Sequence, residues 1–399
     1  MTRARPDLVL AAAFCAAVGL YDALYVWRLI SGGPLIGPGI GAFFPDFLVF
    51  HAAGRAWLEG QAALIYNSDA LTAFQNALFA DRLPGEVRFR PFFYPPTWLL
   101  MLLPLATLAV GQAYALFLAG TVALASLFEG RHDWPGWLAI LVSPAAAWVA
   151  LTGQNTFLSL ALFYGGLRLL DTAPAAAGIL LGLLAYKPQL WLLVPLALIA
   201  ARQWRVLAWT LGTVIAVALA SLAVFGPDLW RAFFDAAREA GSARIVDEML
   251  SRVSSQIVSL FAAGTILGLP RSVASVLQLA GAVLAVAAVW IAFRRHPSGV
   301  ARTAVLATAT FLVSPYTLNY DLLLLMPAAV GLFREGAHKG FYPGERLLYI
   351  VLWLMPLAGM VLSRFGLPVV PLVILLFGAD AWMRLPQPKG ELRAVAAAR

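Results

Sequence analysis

Apolar runs of helix length follow one another along most of this chain, at 8–30, 97–128, 134–151, 155–170, 174–186, 188–201, 206–225, 272–293, 301–314, 320–333, 346–362 and 367–385. They lack the alternating ten-residue pattern of a membrane barrel strand. In lipid every backbone donor and acceptor needs an internal partner, so such runs dictate helices. Hydrophobic residues make up 61% of the chain and charged residues 12%, against about 25% charged in soluble domains. The reading is an all-α polytopic membrane protein with about twelve helices, in the range 11–13. The run at 97–128 is broken near Pro104 and Gly111, so the parity of all that follows depends on whether it crosses once. The run at 8–30 follows Arg3 and Arg5, has no small-x-small cleavage site, and is read as a retained anchor.

The net charge of +8 comes from basic residues scattered at segment ends, a pattern of membrane topology rather than of a nucleic-acid surface. Basic loops at 202–205, 294–302 and 334–346, with the tail at 386–399, are assigned to the cytoplasm, which puts the first loop, 31–96, outside. A second outer loop, 226–256, reads as a solvated helical lid. Cys15 is the single cysteine, so no disulfide forms within the chain. There is no repeat, low-complexity segment or linker, and residues 1–399 read as one membrane domain.

The first outer loop predicts two helices. Apolar residues at 47, 50, 54, 57 and 58 have helical spacing, with Pro45 ahead and Gly60 behind, so Asp46 sits at a helix N-terminus. A second helix is expected over 69–80, capped by Ser68, with Leu71, Phe74 and Leu78 on one face. Both are expected to lie on the membrane surface. The loop closes with Arg88-Phe89-Arg90-Pro91-Phe92-Phe93-Tyr94-Pro95-Pro96-Thr97-Trp98, an aromatic and basic collar suited to the headgroup layer, or a stacking platform for sugar.

An ionisable residue at membrane depth is costly and signals function. Asp46, Lys187 and Asp321 each border an apolar run beside Pro or Asn, as broken helix ends lining a cavity would. Asp46 reads first as a helix cap and second as a base, Lys187 as a snorkelling side chain or a phosphate contact, and Asp321 with Asn319 as a helix start or a site. Gln154 and Asn155 read as an interhelical turn or as ligands, and His51 as a structural group or an orienter of Asp46. Walker A, dinucleotide, HExxH, nucleophile-elbow and Asp-x-Asp motifs are missing from the sequence, and neither a metal nor a cofactor is expected.

The order Pro45-Asp46-Phe47, Ala52-Ala53-Gly54-Arg55-Ala56-Trp57-Leu58-Glu59-Gly60, Ile65-Tyr66, Phe93-Tyr94-Pro95-Pro96, Gly153-Gln154-Asn155, Lys187-Pro188-Gln189 and Ser314-Pro315-Tyr316 resembles glycosyltransferase family 87, polyprenyl-phosphate-mannose-dependent mannosyltransferases of the C-type glycosyltransferase (GT-C) fold. The resemblance implies an inverting transferase on the extracytoplasmic face of a bacterial inner membrane. It would move a sugar, mannose first, from a polyprenyl-phosphate donor to a glycolipid or glycan acceptor. It maps the family's base onto Asp46. Arg90, Arg88, Lys187 or Arg55 would hold the leaving phosphate, and His51, Gln154, Asn155, Gln189, Tyr316, Asn319, Tyr320 and Asp321 would contact sugar or acceptor. Where some relatives carry His, this chain has Tyr316, Asn319, Tyr320 and Asp321. The alternatives are a transporter or flippase of lipid-linked sugars and a pentosyl (arabinosyl) transferase of the same fold.

Overall fold

The computed structural model describes residues 45–83, 91–129, 134–240, 250 and 254–386, with the backbone alone at 36–37 and 41–42. The expected anchor at 8–30, Cys15, Arg88, Arg90, much of 241–253 and the tail beyond Pro386 lie outside these residues. Ile36–Gly37 (β1) and Gly41–Ala42 (β2) pair antiparallel; the rest of the regular structure described is helical.

Helix α1, Pro45–Leu58, has Asp46 in its first turn and Arg55 in its last, each complementing the helix dipole. Gly60, at φ 73°, follows its end. The helix does not lie on a surface. Phe47 through Gly54 are buried, and a Cβ on Gly54 would sit 2.6 Å from Ala106 Cβ, so α1 is pressed into the bundle against α3, Pro96–Ala106. Helix α2 is Ser68–Leu78, and its cap is Asn67 rather than Ser68: Asn67 Oδ1 accepts from Ala70 N at 3.0 Å. Asn67 is extended and its oxygen reaches the third helical amide, which is what a cap requires.

The 97–128 run is two helices, α3 and α4, Val110–Glu129. At 1.5 Å per residue α3 reaches about 16 Å and cannot cross a 30 Å hydrocarbon core. Helices α5, Trp134–Leu141, and α6, Pro144–Thr152, meet at a 54° bend. Helix α7, Thr156–Arg168, is enclosed along nearly its whole length, packed between α4 and α8, Pro174–Leu183. The chain continues through a 3₁₀ turn at Leu184–Tyr186, then α9, Pro188–Trp191, and α10, Val194–Ala200. Beyond lie α11, Trp204–Ala240; α12, Leu260–Ile266; α13, Arg271–Arg295; and α14, Val300–Val313. A 3₁₀ segment, Asn319–Leu325, leads into α15, Met326–Lys339, followed by α16, Glu345–Arg364, and α17, Val370–Met383.

Among the described residues four helices are long and apolar enough to cross a membrane, α4, α11, α13 and α16, with the bent α5–α6 pair as a fifth. Five shorter apolar pieces, 96–106, 174–186, 188–200, 300–313 and 370–383, stand beside them. This is a multi-pass helical membrane protein whose broken segments cluster where the polar interruptions of the sequence fall.

Helix α11 is two helices joined at Gly226, whose φ 77° and ψ 170° are not helical. The membrane-length part ends at Phe225, and 227–240 turns away with the exposed ion pairs Asp228–Arg231 and Asp235–Arg238 on its outer side. Phe225 packs edge-on against Trp57 at 4.8 Å, and Phe233 lies 5.7 Å from Tyr66. At its other end α11 approaches α8 closely: a Cβ on Gly178 would lie 2.7 Å from Val206 O, and one on Gly182 2.7 Å from Thr210 O. Small residues four apart allow this contact. Where the start of α16 meets the end of α17, Tyr349 bonds both Glu345 and Asp380, and Arg384 donates to Glu345, so each of these charged groups has a partner.

Candidate active site

Five interruptions of the apolar runs meet at one end of the bundle: the start of α1, the segment before α3, the α6–α7 turn, the break before α9, and the chain between α14 and the 3₁₀ segment. At the α6–α7 turn Gly153 is left-handed, φ 72° and ψ 32°, which ends α6 and lets the chain reverse. Asn155 then occupies the N-cap position of α7 without making a side-chain cap bond; its Oδ1 accepts from one partner, Lys187, and its backbone carbonyl from another, Tyr186.

Those partners define a polar cluster. Gln154 Nε2 donates to Asp46 Oδ2 at 2.8 Å, and Tyr94 Oη donates to Gln154 Oε1 at 3.2 Å. Lys187 Nζ donates to Asp321 Oδ1 at 2.5 Å and to Asn155 Oδ1 at 3.2 Å, while Thr156 Oγ1 donates to Asp321 Oδ1 at 3.0 Å. Lys187 Nζ also stands 5.3 Å from the Tyr320 ring centroid. Tyr186 Oη bonds Ser159 Oγ at 2.8 Å and the Asn155 carbonyl at 3.2 Å.

The cluster has a front and a back. Asp46, Tyr94 and Tyr316 are half-buried, whereas Asn155, Lys187, Tyr320 and Asp321 are enclosed, with Gln154 between the two rows. Tyr94, Tyr316 and Tyr320 all lie within electrostatic reach of the Asp46 carboxylate. Burial, and secondarily the Asp46 charge, push the Tyr316 hydroxyl above its ordinary range, so it stands as a neutral phenol. Asn155 Nδ2, Thr317 Oγ1 and Asn319 Oδ1 are buried polar atoms without a hydrogen-bond partner, an uncommon concentration in one place.

The remaining residues singled out from the sequence fall elsewhere. His51 is five positions after Asp46, about 140° around the helix. Its Nε2 bonds the Leu108 carbonyl at 3.0 Å, so it braces α1 against the α3–α4 turn and does not orient Asp46. Arg55 pairs with Glu59 at 2.7 Å, at the end of α1 remote from Asp46. Lys187 is enclosed by Asp321 and Asn155 instead of presenting its charge to an opening. Asn319 Nδ2 is bonded to the Pro356 carbonyl at 3.1 Å, and Gln189 is half-buried on α9. Arg88 and Arg90 lie outside the described residues.

The collar reading also changes. Phe92 and Trp98 are 2% and 0% exposed, and Tyr186 stacks on Trp98 at 4.5 Å with Phe50 edge-on to Tyr94 at 5.1 Å. These aromatics wall the polar cluster off from lipid; they are not interfacial anchors. Tyr94, read from the sequence as an interfacial anchor or a stacking group, joins the cluster through its hydroxyl; Thr156, Ser159 and Tyr186 are members that the sequence did not mark, Tyr186 bordering the break at Lys187 and Thr156 and Ser159 carrying no signal.

With this geometry in view, the chain was compared with known proteins. The family model for glycosyltransferase family 87 matches residues 92–315, more than half of the chain. The chain belongs to glycosyltransferase family 87. No curated protein and no solved structure matches it significantly. As a family 87 member it is a glycosyltransferase, with a sugar donor and an acceptor, and its helical membrane architecture accords with a GT-C fold. The matched span contains Tyr94, Gln154, Asn155 and Lys187, and the hydrogen bonds join Asp46 and Asp321, which lie outside it, to those residues. A cavity of about 390 Å³, bordered by Arg168, Asp171 and Arg302, lies at the other end of α7. The twelve residues from Thr156 to Arg168 put it about 18 Å along that helix, so it is separate from this cluster.

Proposed function

We propose that this family 87 enzyme transfers mannose from a polyprenyl-phosphate donor to a glycolipid or glycan acceptor with inversion at the anomeric carbon, Asp46 acting as general base. The observation that carries the reading is the half-buried Asp46 carboxylate at the front of an otherwise enclosed polar cluster, held by Gln154 at 2.8 Å. An acceptor hydroxyl within hydrogen-bond reach of Asp46 gives up its proton as its oxygen attacks the anomeric carbon, an assistance worth about 10²–10⁴-fold. The phosphate departs as a stable anion and needs positive charge rather than an acid. With Lys187 and Arg55 engaged by carboxylates, Arg88 and Arg90, which shortly precede Tyr94 in the chain, are the cations assigned to it. Tyr316 and Tyr94 are assigned to the sugar or acceptor as neutral hydrogen-bonding groups.

The whole chain acts as one membrane domain in this scheme. Loops 31–96 and 226–256 face the outside of a bacterial inner membrane, and the tail 386–399 faces the cytoplasm. A donor with a polyprenyl tail requires access from lipid, which fits a site at the end of a bundle of broken helices.

The test is transfer by purified protein in nanodiscs, with short-chain polyprenyl-phosphate-mannose as donor and membrane lipid extract as acceptor. Wild type is expected to form product of inverted anomeric configuration, read by NMR of the product, and folded Asp46→Asn to form none. Product from a pentose donor alone would overturn the mannose assignment, and an active Asp46→Asn would overturn the base.

A further inference from the structure

We propose that the cavity at the far end of α7 is a second binding site, which takes the phosphate headgroup of a membrane phospholipid. It lies about 18 Å along α7 from Thr156, and its occupant does not depend on how Asp46 is used.

The cavity, of about 390 Å³, falls within the size range of small-ligand sites. Its inner wall is apolar and aromatic, formed by the buried residues Trp137, Ile140, Phe293, Pro327 and Ala328. Arg302 supplies charge on the α14 side. It is 7% exposed, and a buried cation is costly unless an anion or enough acceptors meet it. Nη1 donates to the His296 carbonyl at 3.2 Å and Nη2 to Ser298 Oγ at 2.7 Å. A guanidinium carries five N–H donors, and the rest of them have no partner among the described residues. Asp171 meets Arg302 only through a hydroxyl: its oxygens accept from Gln203 Nε2 at 2.8 Å and Ser298 Oγ at 2.9 Å, so the carboxylate holds the serine that holds the arginine. The guanidinium also lies over the Phe293 ring, 4.6 Å from its centroid, which fixes it against the cavity wall.

Two further features favour an anion here. The cavity reaches Ser298, Gly299 and Val300 at the start of α14, where Gly299 supplies no side-chain cap and the first amides lack a helical partner. Arg168 stands at the rim, and the exposed Arg294 and Arg295 follow directly on Phe293. The lipid source is argued from α5. Gly136, Trp137 and Ile140 line the cavity, while Trp134 and Leu138 on the same helix are 71% and 48% exposed. An apolar exposed face beside a basic mouth suits a phospholipid, with its phosphate on Arg302 and Arg168 and its acyl chains along α5.

The experiment is native mass spectrometry of delipidated full-length protein in detergent, as wild type, Arg302→Met, Arg302→Lys and Thr303→Phe. The probes are dioctanoyl phosphatidylglycerol, dioctanoylglycerol, which lacks the phosphate, and glycerol 3-phosphate, which lacks the chains. Wild type is expected to bind one phosphatidylglycerol and to hold the other two probes at least about tenfold more weakly. Loss of hydrogen bonds to a charged group predicts about 10- to 100-fold weaker binding in Arg302→Met, with Arg302→Lys in between. Thr303 lines the cavity, so Thr303→Phe fills the space, leaves the Arg302 bonds in place and should abolish binding. It decides the matter if Arg302→Met, which also loses the His296 bond, fails to fold. Added phosphatidylglycerol should raise the melting temperature of wild type and not of Thr303→Phe. Equal phosphatidylglycerol affinity in those two proteins, or none in wild type, would overturn the site. Dioctanoylglycerol bound as tightly as phosphatidylglycerol would overturn phosphate recognition and leave Arg302 as a brace for the α13–α14 turn. Glycerol 3-phosphate bound as tightly would overturn the lipid and assign the cavity to a soluble phosphate ester.

Discussion

Lys187 Nζ and Asp321 Oδ1 stand 2.5 Å apart with their side chains 1% and 2% exposed, joining two breaks of the chain that lie 134 residues apart. A buried pair of this kind is weak in net stabilisation but severe to break, because the survivor is left as an uncompensated charge. Lys187→Met alone is expected to destabilise the protein by about 3–5 kcal/mol. Lys187→Met/Asp321→Leu is expected to recover most of that loss. Thermal unfolding in detergent distinguishes the two; equal melting temperatures for single and double variants would refute the uncompensated-charge account.

The close approach of α8 and α11 has its own test. At Gly178 a Cβ would meet Trp209 Cβ at 2.3 Å as well as backbone, and at Gly182 it would meet Thr213 Cβ at 2.6 Å. Gly178→Ala and Gly182→Ala should each cost about 1–3 kcal/mol through forced separation of the helices. Gly212, with open space where its Cβ would be, is the control: Gly212→Ala should leave the melting temperature unchanged or slightly raised.

Gly226 holds φ 77° and ψ 170°, a region that side chains rarely enter. Gly226→Ala should cost about 1–3 kcal/mol, and because the kink aims 227–240 at Tyr66, it should also loosen that contact. Hydrogen exchange of residues 227–240 would rise in the variant; unchanged protection would mean the kink is held by packing alone.

His51 lends the fold a pH dependence. Burial is the main cause holding its imidazole below the ordinary value of 6.5, with the Arg55 charge adding to it and the Leu108 bond opposing. The folded protein therefore binds a proton less readily than the unfolded chain. The His51 contribution is fully present above about pH 6.5 and is lost as pH falls from there through the lowered folded value. Its buried Nδ1 has no partner to receive an added hydrogen. Melting temperature should fall between pH 7.5 and 5.5, and His51→Gln should flatten that slope; an unchanged slope would assign the acid sensitivity to other groups.

Much of the architecture was legible because its signals are local. Pro45, Asp46 and Gly60 bracket α1 in the sequence as they do in space, and 155–170, 272–293 and 301–314 fall within a residue or two of α7, α13 and α14. The misreadings arose where one local pattern serves two environments. Asn67 and Ser68 are both good caps, and only the backbone angle at Asn67 selects it. Phe92, Tyr94 and Trp98 look the same whether an aromatic cluster faces headgroups or walls a polar interior, and burial decides for the interior. Half-apolar spacing in α1 suggested a surface helix, but Gly54 lets α3 press against it and Phe47 through Gly54 are buried.

By itself the sequence determined that this chain is a helical membrane protein with an acidic residue opening a helix in its first long loop, since apolar run length and helix punctuation are properties of neighbouring residues. Only the tertiary structure decided which polar breaks meet. Gln154 reaches Asp46 across 108 residues and Lys187 is spent on Asp321 rather than left for a phosphate. Those pairings depend on how half-length helices stack around α7, because burying a charge or an amide is tolerable only where packing brings its partner within bonding distance.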